Sequence, residues 1–193
     1  MKKKLFLFLS VAIAALSLSS CGYNSMVELD ETVQQKWANV ESQYQRRADL
    51  VPNLVNTVKG AADFEKETLT QVIEARASAT QVKVDPSKLD EASIQKYQKA
   101  QGKLSSALGR LLVSVERYPD LKANQNFRDL QAQLEGTGNR INFARDQFNA
   151  SVKEYNSYIR KFPKNITANM FDFEKKGYFE SDAGAEDAPE VKF

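Results

Sequence analysis

The chain has 193 residues, with 27 lysines and arginines against 25 aspartates and glutamates, a single cysteine (Cys21) and no histidine. Without histidine, Ser–His and Cys–His nucleophilic machinery and every zinc site of Cys/His type are excluded. Carboxylate, lysine and tyrosine chemistry remain open.

The N-terminus reads MKKKLFLFLSVAIAALSLSSC. Three lysines precede an apolar stretch, Leu5 to Leu18, that is shorter than the ~18–20 residues of a membrane span and is followed by small residues. Residues 1–20 therefore read as a secretory signal peptide. Leu18-Ser19-Ser20-Cys21 resembles the lipobox of bacterial lipoproteins, so Cys21 is expected to carry acyl chains such as palmitate and to head a short linker, residues 21–28. Cleavage there removes Lys2, Lys3 and Lys4 but no acid, leaving 24 bases against 25 acids, a net charge of −1. No run of Lys/Arg longer than two survives, so neither nucleic acid nor a polybasic membrane role has a footprint in the sequence.

About 170 residues follow, the size of one domain. Leu29, Val33, Trp37, Val40, Tyr44, Ala48, Val51, Val55 and Val58 recur every three or four positions, and the pattern runs on through Ala62, Leu69, Val72 and Ile73. Pro52 interrupts it, removing a donor and crowding the Ala48 carbonyl at a cost of ~3 kcal/mol in a helix interior. Because the apolar face keeps its phase, one kinked helix fits. Alternatively Asp49 caps a new helix with Pro52 in its first turn. The two readings give three helices or four. Asp85-Pro86 has the form of the next helix start, and Tyr118-Pro119 of its end. The last helix carries Phe127, Leu130, Leu134, Thr137, Ile141, Ala144, Phe148, Val152, Tyr155, Ile159 and Phe162 in near-heptad rhythm. No stretch alternates at the period of two that a strand requires. The fold class is all-α, an antiparallel bundle over residues 29–163. In the C-terminal segment, residues 164–193, NMFDFEKKGYFE should lie across the bundle, and the acidic ESDAGAEDAPE reads as a mobile tail.

Three motif-like strings carry little chemistry. Ser93-Ile94-Gln95-Lys96 has the S-x-x-K form of serine acyl-transfer enzymes without its partner motifs. Gly136-Thr137-Gly138 lacks the strand and lysine of a phosphate loop and is expected to loosen the last helix. Asn165-Ile166-Thr167 is a glycosylation sequon that a bacterial lipoprotein leaves unused. Around Pro52, at ~100° per residue, Arg46, Asp49 and Asn53 fall within ~60° of one another, opposite the apolar stripe. They form a candidate partner-docking ridge, with an Arg46–Asp49 pair expected on it. Arg47, Leu50 and Leu54 fall at the edge where another helix packs. A convex ridge does not supply the convergent groups of an active site.

YQRRADLVPNLVNTVKG, the EARA of residues 74–77, LKANQNFRDLQAQLEGTGNRINFARDQFN, VKEYNSYIRKFP and the terminal YFE and PEVKF resemble the LemA family of bacterial envelope proteins, from about Tyr23 to Phe193. The resemblance implies a membrane-anchored bundle of four antiparallel helices outside the cytoplasm, which favours a true break near Asp49–Pro52. It implies no catalytic residue, metal or cofactor. It also implies, for some relatives, association with membrane proteases. Many relatives use an N-terminal transmembrane helix where this chain has Cys21, and Gly136 and Gly138 stand where helix formers are expected.

These readings lead to a lipid-anchored envelope protein facing the periplasm. It holds membrane lipid through Cys21 and acts as a scaffold for a partner envelope protein. The alternative is a carboxylate- or tyrosine-based hydrolase or transferase in an inter-helix cleft. Cys21→Ser is expected to leave the chain uncleaved at this site and without lipid, read by mass spectrometry of the membrane fraction. Normal processing with firm membrane retention of that variant rules the lipoprotein reading out.

Overall fold

The computed structural model describes residues 2–60 and 64–180, with side chains from residue 22 onward. Cys21 lies outside the described side chains, and the acidic tail from residue 181 lies outside the described residues altogether. Six helices follow in chain order: α1 (Lys2–Lys59), α2 (Lys66–Gln81), α3 (Glu91–Val115), α4 (Pro119–Ala123), α5 (Gln125–Arg160) and α6 (Lys164–Met170). Among the described residues there is no strand.

The four long helices, α1, α2, α3 and α5, form an up-and-down bundle. The stripe on α1 that includes Val33, Trp37, Val40, Tyr44, Val51 and Val58 is buried along its length. It pairs most extensively with α5. That pair is antiparallel, because Met26 shares a core cluster with Tyr155 and Ile159, and Val58 shares another with Phe127. Four helices do result, but not from a break at Asp49–Pro52. Helix α1 continues through Pro52 to Lys59, as the preserved apolar phase required, and α2 begins at Lys66; Ala62 of the expected stripe lies outside the described residues. Phe64 packs on Tyr118 with ring centroids 4.9 Å apart, and the Glu65 carboxylate takes a 2.7 Å bond from Arg117. The far end of α3 thus fixes where α2 begins.

Two other boundaries differ from expectation. Asp85 does not start a helix. It accepts from the Ser87 N–H and hydroxyl in an Asx turn, and α3 begins after Asp90, which accepts from the Ser93 N–H at 2.7 Å. The intervening Leu89 is fully buried and its carbonyl is bonded to the Gly177 N–H, so that backbone serves tertiary contacts. Helix α3 ends at Val115, and Pro119 opens the short α4. Helix α5 passes unbroken through Gly136 and Gly138, because burial of Leu134, Thr137 and Ile141 offsets the ~1 kcal/mol that each glycine costs. Ile73 and Phe162, expected in the core, are exposed.

The segment after α6 does lie across the bundle. Asn156 pairs with both the N–H and the carbonyl of Lys176, and Asn149 does the same for Phe179. The two asparagines are seven residues apart, two turns on one face of α5. They replace the neighbouring strand that this extended backbone lacks. Phe179 then stacks on Trp37 at an interplanar angle of 15°. Gly177 is required at the closest approach, since a Cβ there would sit 2.6 Å from the Glu91 Cα.

Pro52 leaves the Ala48 carbonyl without its i+4 donor, and Arg76 of α2 supplies one: its Nε donates to Ala48 O at 2.8 Å. Arg76→Met should therefore cost about 1–3 kcal/mol by orphaning that carbonyl. Pro52→Ala restores an N–H there, so the same Arg76→Met change should cost distinctly less in the Pro52→Ala background. Urea unfolding of the four chains in this double-mutant cycle measures the difference, and additive effects would show that the two groups do not share the carbonyl.

Candidate functional site

The sequence-predicted ridge is exposed as expected: Arg46, Asp49 and Asn53 all face solvent from α1. The carboxylate of Asp49 accepts from Gln45 Nε2 at 2.7 Å, a helix-surface bond in place of the expected pair with Arg46.

Behind the ridge lies the residue that sequence reading left at the edge. Arg47 is buried, with Nη1 donating to Ser105 Oγ at 2.6 Å and Nη2 to both the carbonyl and the Oε1 of Gln101 at 3.0 Å. Its guanidinium also sits 5.0 Å from the Tyr44 ring centroid. These partners are neutral, and desolvation pulls its pKa below the ordinary arginine value. Gln101 in turn donates from Nε2 to the Ala79 carbonyl of α2 at 3.3 Å. Arg47, Arg76 and Gln101 therefore key α1, α2 and α3 together at one level, directly beneath the exposed ridge. The hint in the sequence is its helical angle, which places Arg47 with Leu50 and Leu54 at the edge where another helix packs.

Two clefts flank this level and share Tyr44 and Gln101. One, of about 390 Å³, opens between α1, α3 and α5 past Gly102, Gly138, Arg47 and Arg145. The other, of about 480 Å³, lies beside α2 and the α2–α3 connection and holds Glu41, Lys83 and Tyr97. Burial raises the Glu41 carboxyl above the usual range, against the opposing effects of the nearby Trp37 indole N–H and the Lys83 charge. Burial likewise pushes the Tyr97 hydroxyl well up. Among the described residues lining that cleft, Glu41 is the one acid. Among the described residues, no group of three or more acidic side chains is placed to hold a metal ion. Ser93 of the S-x-x-K string serves as the partner of the Asp90 cap, and Thr137 of the Gly-Thr-Gly string is buried and bonded to the Gln133 carbonyl of its own helix.

The adjacent arginines should behave oppositely. Arg47→Ala removes the donors to Gln101 Oε1 and Ser105 Oγ and is expected to destabilise the fold by about 3 kcal/mol, whereas Arg46→Ala should stay within about 0.5 kcal/mol. Chemical denaturation midpoints of the two variants check this.

The profile of the LemA family matches residues 36–193. The magnetosome protein MamQ of Magnetospirillum gryphiswaldense is 30% identical over 194 residues, covering 89% of this chain and 71% of that protein. The magnetosome protein MamQ 2 of Paramagnetospirillum magneticum is 29% identical, with 82% and 64% covered. Protein LemA of Metamycoplasma hominis is 22% identical, with 82% and 68% covered. The chain thus spans roughly two thirds of the length of these relatives.

Proposed function

The chain belongs to the LemA family, and on that premise we propose that it is an envelope-associated scaffold, tethered through lipid on Cys21, whose helical bundle docks another envelope protein. The observation that carries this reading is the setting of the ridge. Arg46, Asp49 and Asn53 project from a stretch of α1 whose opposite face is pinned to α2 through Arg76 and to α3 through Arg47. Such a surface is held in place before a partner arrives, which lowers the ordering cost of binding. The mixed charge and amide chemistry of the ridge suits hydrogen-bonded recognition of a polar protein surface.

Replacing Arg46, Asp49 and Asn53 together with alanine should leave the thermal melt unchanged, because exposed pairs contribute only ~0–1 kcal/mol. The same change should abolish crosslinking to the partner in intact cells. Tyr44→Ala is the control: Tyr44 is buried against Tyr97, with ring centroids 5.4 Å apart, and its loss should lower the melt. A triple variant that melts normally and still captures its partner overturns the docking ridge. One that melts several degrees lower shows that the three residues serve the fold.

A further inference from the structure

The exposed large apolar side chains are unevenly distributed. Ile73, Val113 and Phe143 stand singly on α2, α3 and α5, whereas Phe162, Ile166, Met170 and Phe171 crowd around α6. Phe162 is 82% and Met170 71% exposed, and Ile166 and Met170 share one face of α6 at i,i+4. Ala168 turns the other face of the helix inward.

This apolar end also lies against α1 just after Cys21. Tyr23 lies edge-on to Phe171 with ring centroids 4.8 Å apart, and Lys164 Cγ is 4.0 Å from where a Gly22 Cβ would be. Helix α6 therefore packs beside the first residues after Cys21. Tyr23 is two residues, only ~3 Å along the helix axis, from Cys21, the residue proposed to carry lipid. Flanking α6 in the chain are Arg160, Lys161, Lys164 and Lys175, with Asp172 and Glu174 among them and Glu28, Asp30 and Glu31 on the neighbouring turns of α1; Lys164 Nζ lies 3.5 Å from the Tyr158 ring centroid, and Asp30 pairs with Lys176.

The geometry points to a membrane-contacting foot: Phe162, Ile166, Met170 and Phe171 lie in the interfacial layer of the bilayer that receives the chain's N-terminus, with the surrounding lysines and arginine against anionic headgroups. This deepens the proposed function and rests on its placing of the Cys21 end at a membrane. Aromatic and aliphatic side chains rimmed by lysine and arginine are the composition that partitions into the headgroup boundary, and basic groups near an anionic surface add attraction. A lipid surface fits this patch better than a protein partner does, because the patch packs on Gly22 and Tyr23, directly after the residue proposed to carry lipid. A foot beside the tether fixes the tilt of the bundle. It sets the Arg46–Asp49–Asn53 ridge, some 23 residues or ~35 Å further along α1, at a defined height above the lipid.

The test uses the full chain purified from membranes, reconstituted in vesicles of phosphatidylcholine and phosphatidylglycerol. Phe162→Trp and Ile166→Trp are compared with Val113→Trp, an exposed position at the opposite end of α3. Trp37, buried and ~21 Å along α1 from Tyr23, is a constant background. Exchanging the lipids for ones brominated high on the acyl chain should quench the added emission at 162 and 166 by roughly twofold and leave that at 113 unchanged. A chain that floats with the vesicles while all three positions stay equally unquenched overturns the foot but not the tether. Blue-shifted, unquenched emission at 162 and 166 assigns the patch to a second copy of the chain and likewise overturns it. A chain that fails to float overturns both readings.

Discussion

A proline inside a 58-residue helix leaves one carbonyl, Ala48 O, without its intrahelical donor, and the answer to that deficit organises the first three helices. The carbonyl turns to Arg76 of α2, one residue along α1 the Arg47 guanidinium turns to α3, and Gln101 of α3 closes the circuit onto the Ala79 carbonyl of α2. Sliding any of these helices by one turn, ~5.4 Å, would break its bonds at this level together. Buried polar groups must be paired or they cost several kcal/mol, so the layer tolerates one register only.

The apolar core divides at that level. Above it, Trp37, Phe148, Tyr155 and Phe179 dominate one cluster, and below it, Leu54, Leu104, Leu111 and Phe127 dominate another. Aliphatic and aromatic contacts supply most of the stabilisation of a bundle but are tolerant of small shifts. The polar layer contributes little net energy, given the desolvation of Arg47, and supplies the alignment that the apolar halves lack. The two clefts open at this same level, where Gly102 and Gly138 present no side chain and the helices are spaced by polar rather than interlocking apolar groups.

The surface is differentiated along the same axis. At the N-terminal end, α6 and the turn before it expose apolar and basic groups beside Gly22 and Tyr23. At mid-height, the polar ridge stands over the pinned stretch of α1. Between them the strap carrying Phe179 seals the aromatic cluster, held by Asn149 and Asn156. Its end at Glu180 is tied to Gln98 and Arg145, beside the cleft between α1, α3 and α5. On the reading proposed above, an apolar end beside the N-terminus, a sealed core and a pinned outward face suit a protein that presents a surface at a fixed distance from a membrane.

Helix identity, the all-α class and the inward faces were legible in the sequence, because the 3.6-residue recurrence of apolar residues records which face each helix buries. The phase across Pro52 also carried its message: the same stripe on both sides meant one continuous helix, against the break that the family resemblance favoured. The exposed ridge was legible for the same reason, as the complement of the stripe. What only the tertiary structure decided was every contact between residues distant in sequence that depends on hydrogen-bond geometry. The partner of the Ala48 carbonyl lies 28 residues away and those of Arg47 lie 54 and 58 away, and nothing in local periodicity encodes them. Periodicity also could not tell that Ile73 and Phe162 stay outside, because it reports the face of a helix and not whether another element covers it. Nor could it tell that Asp90 rather than Asp85 caps α3, since both can cap and the choice was made by burying Leu89 and by the close approach of Gly177.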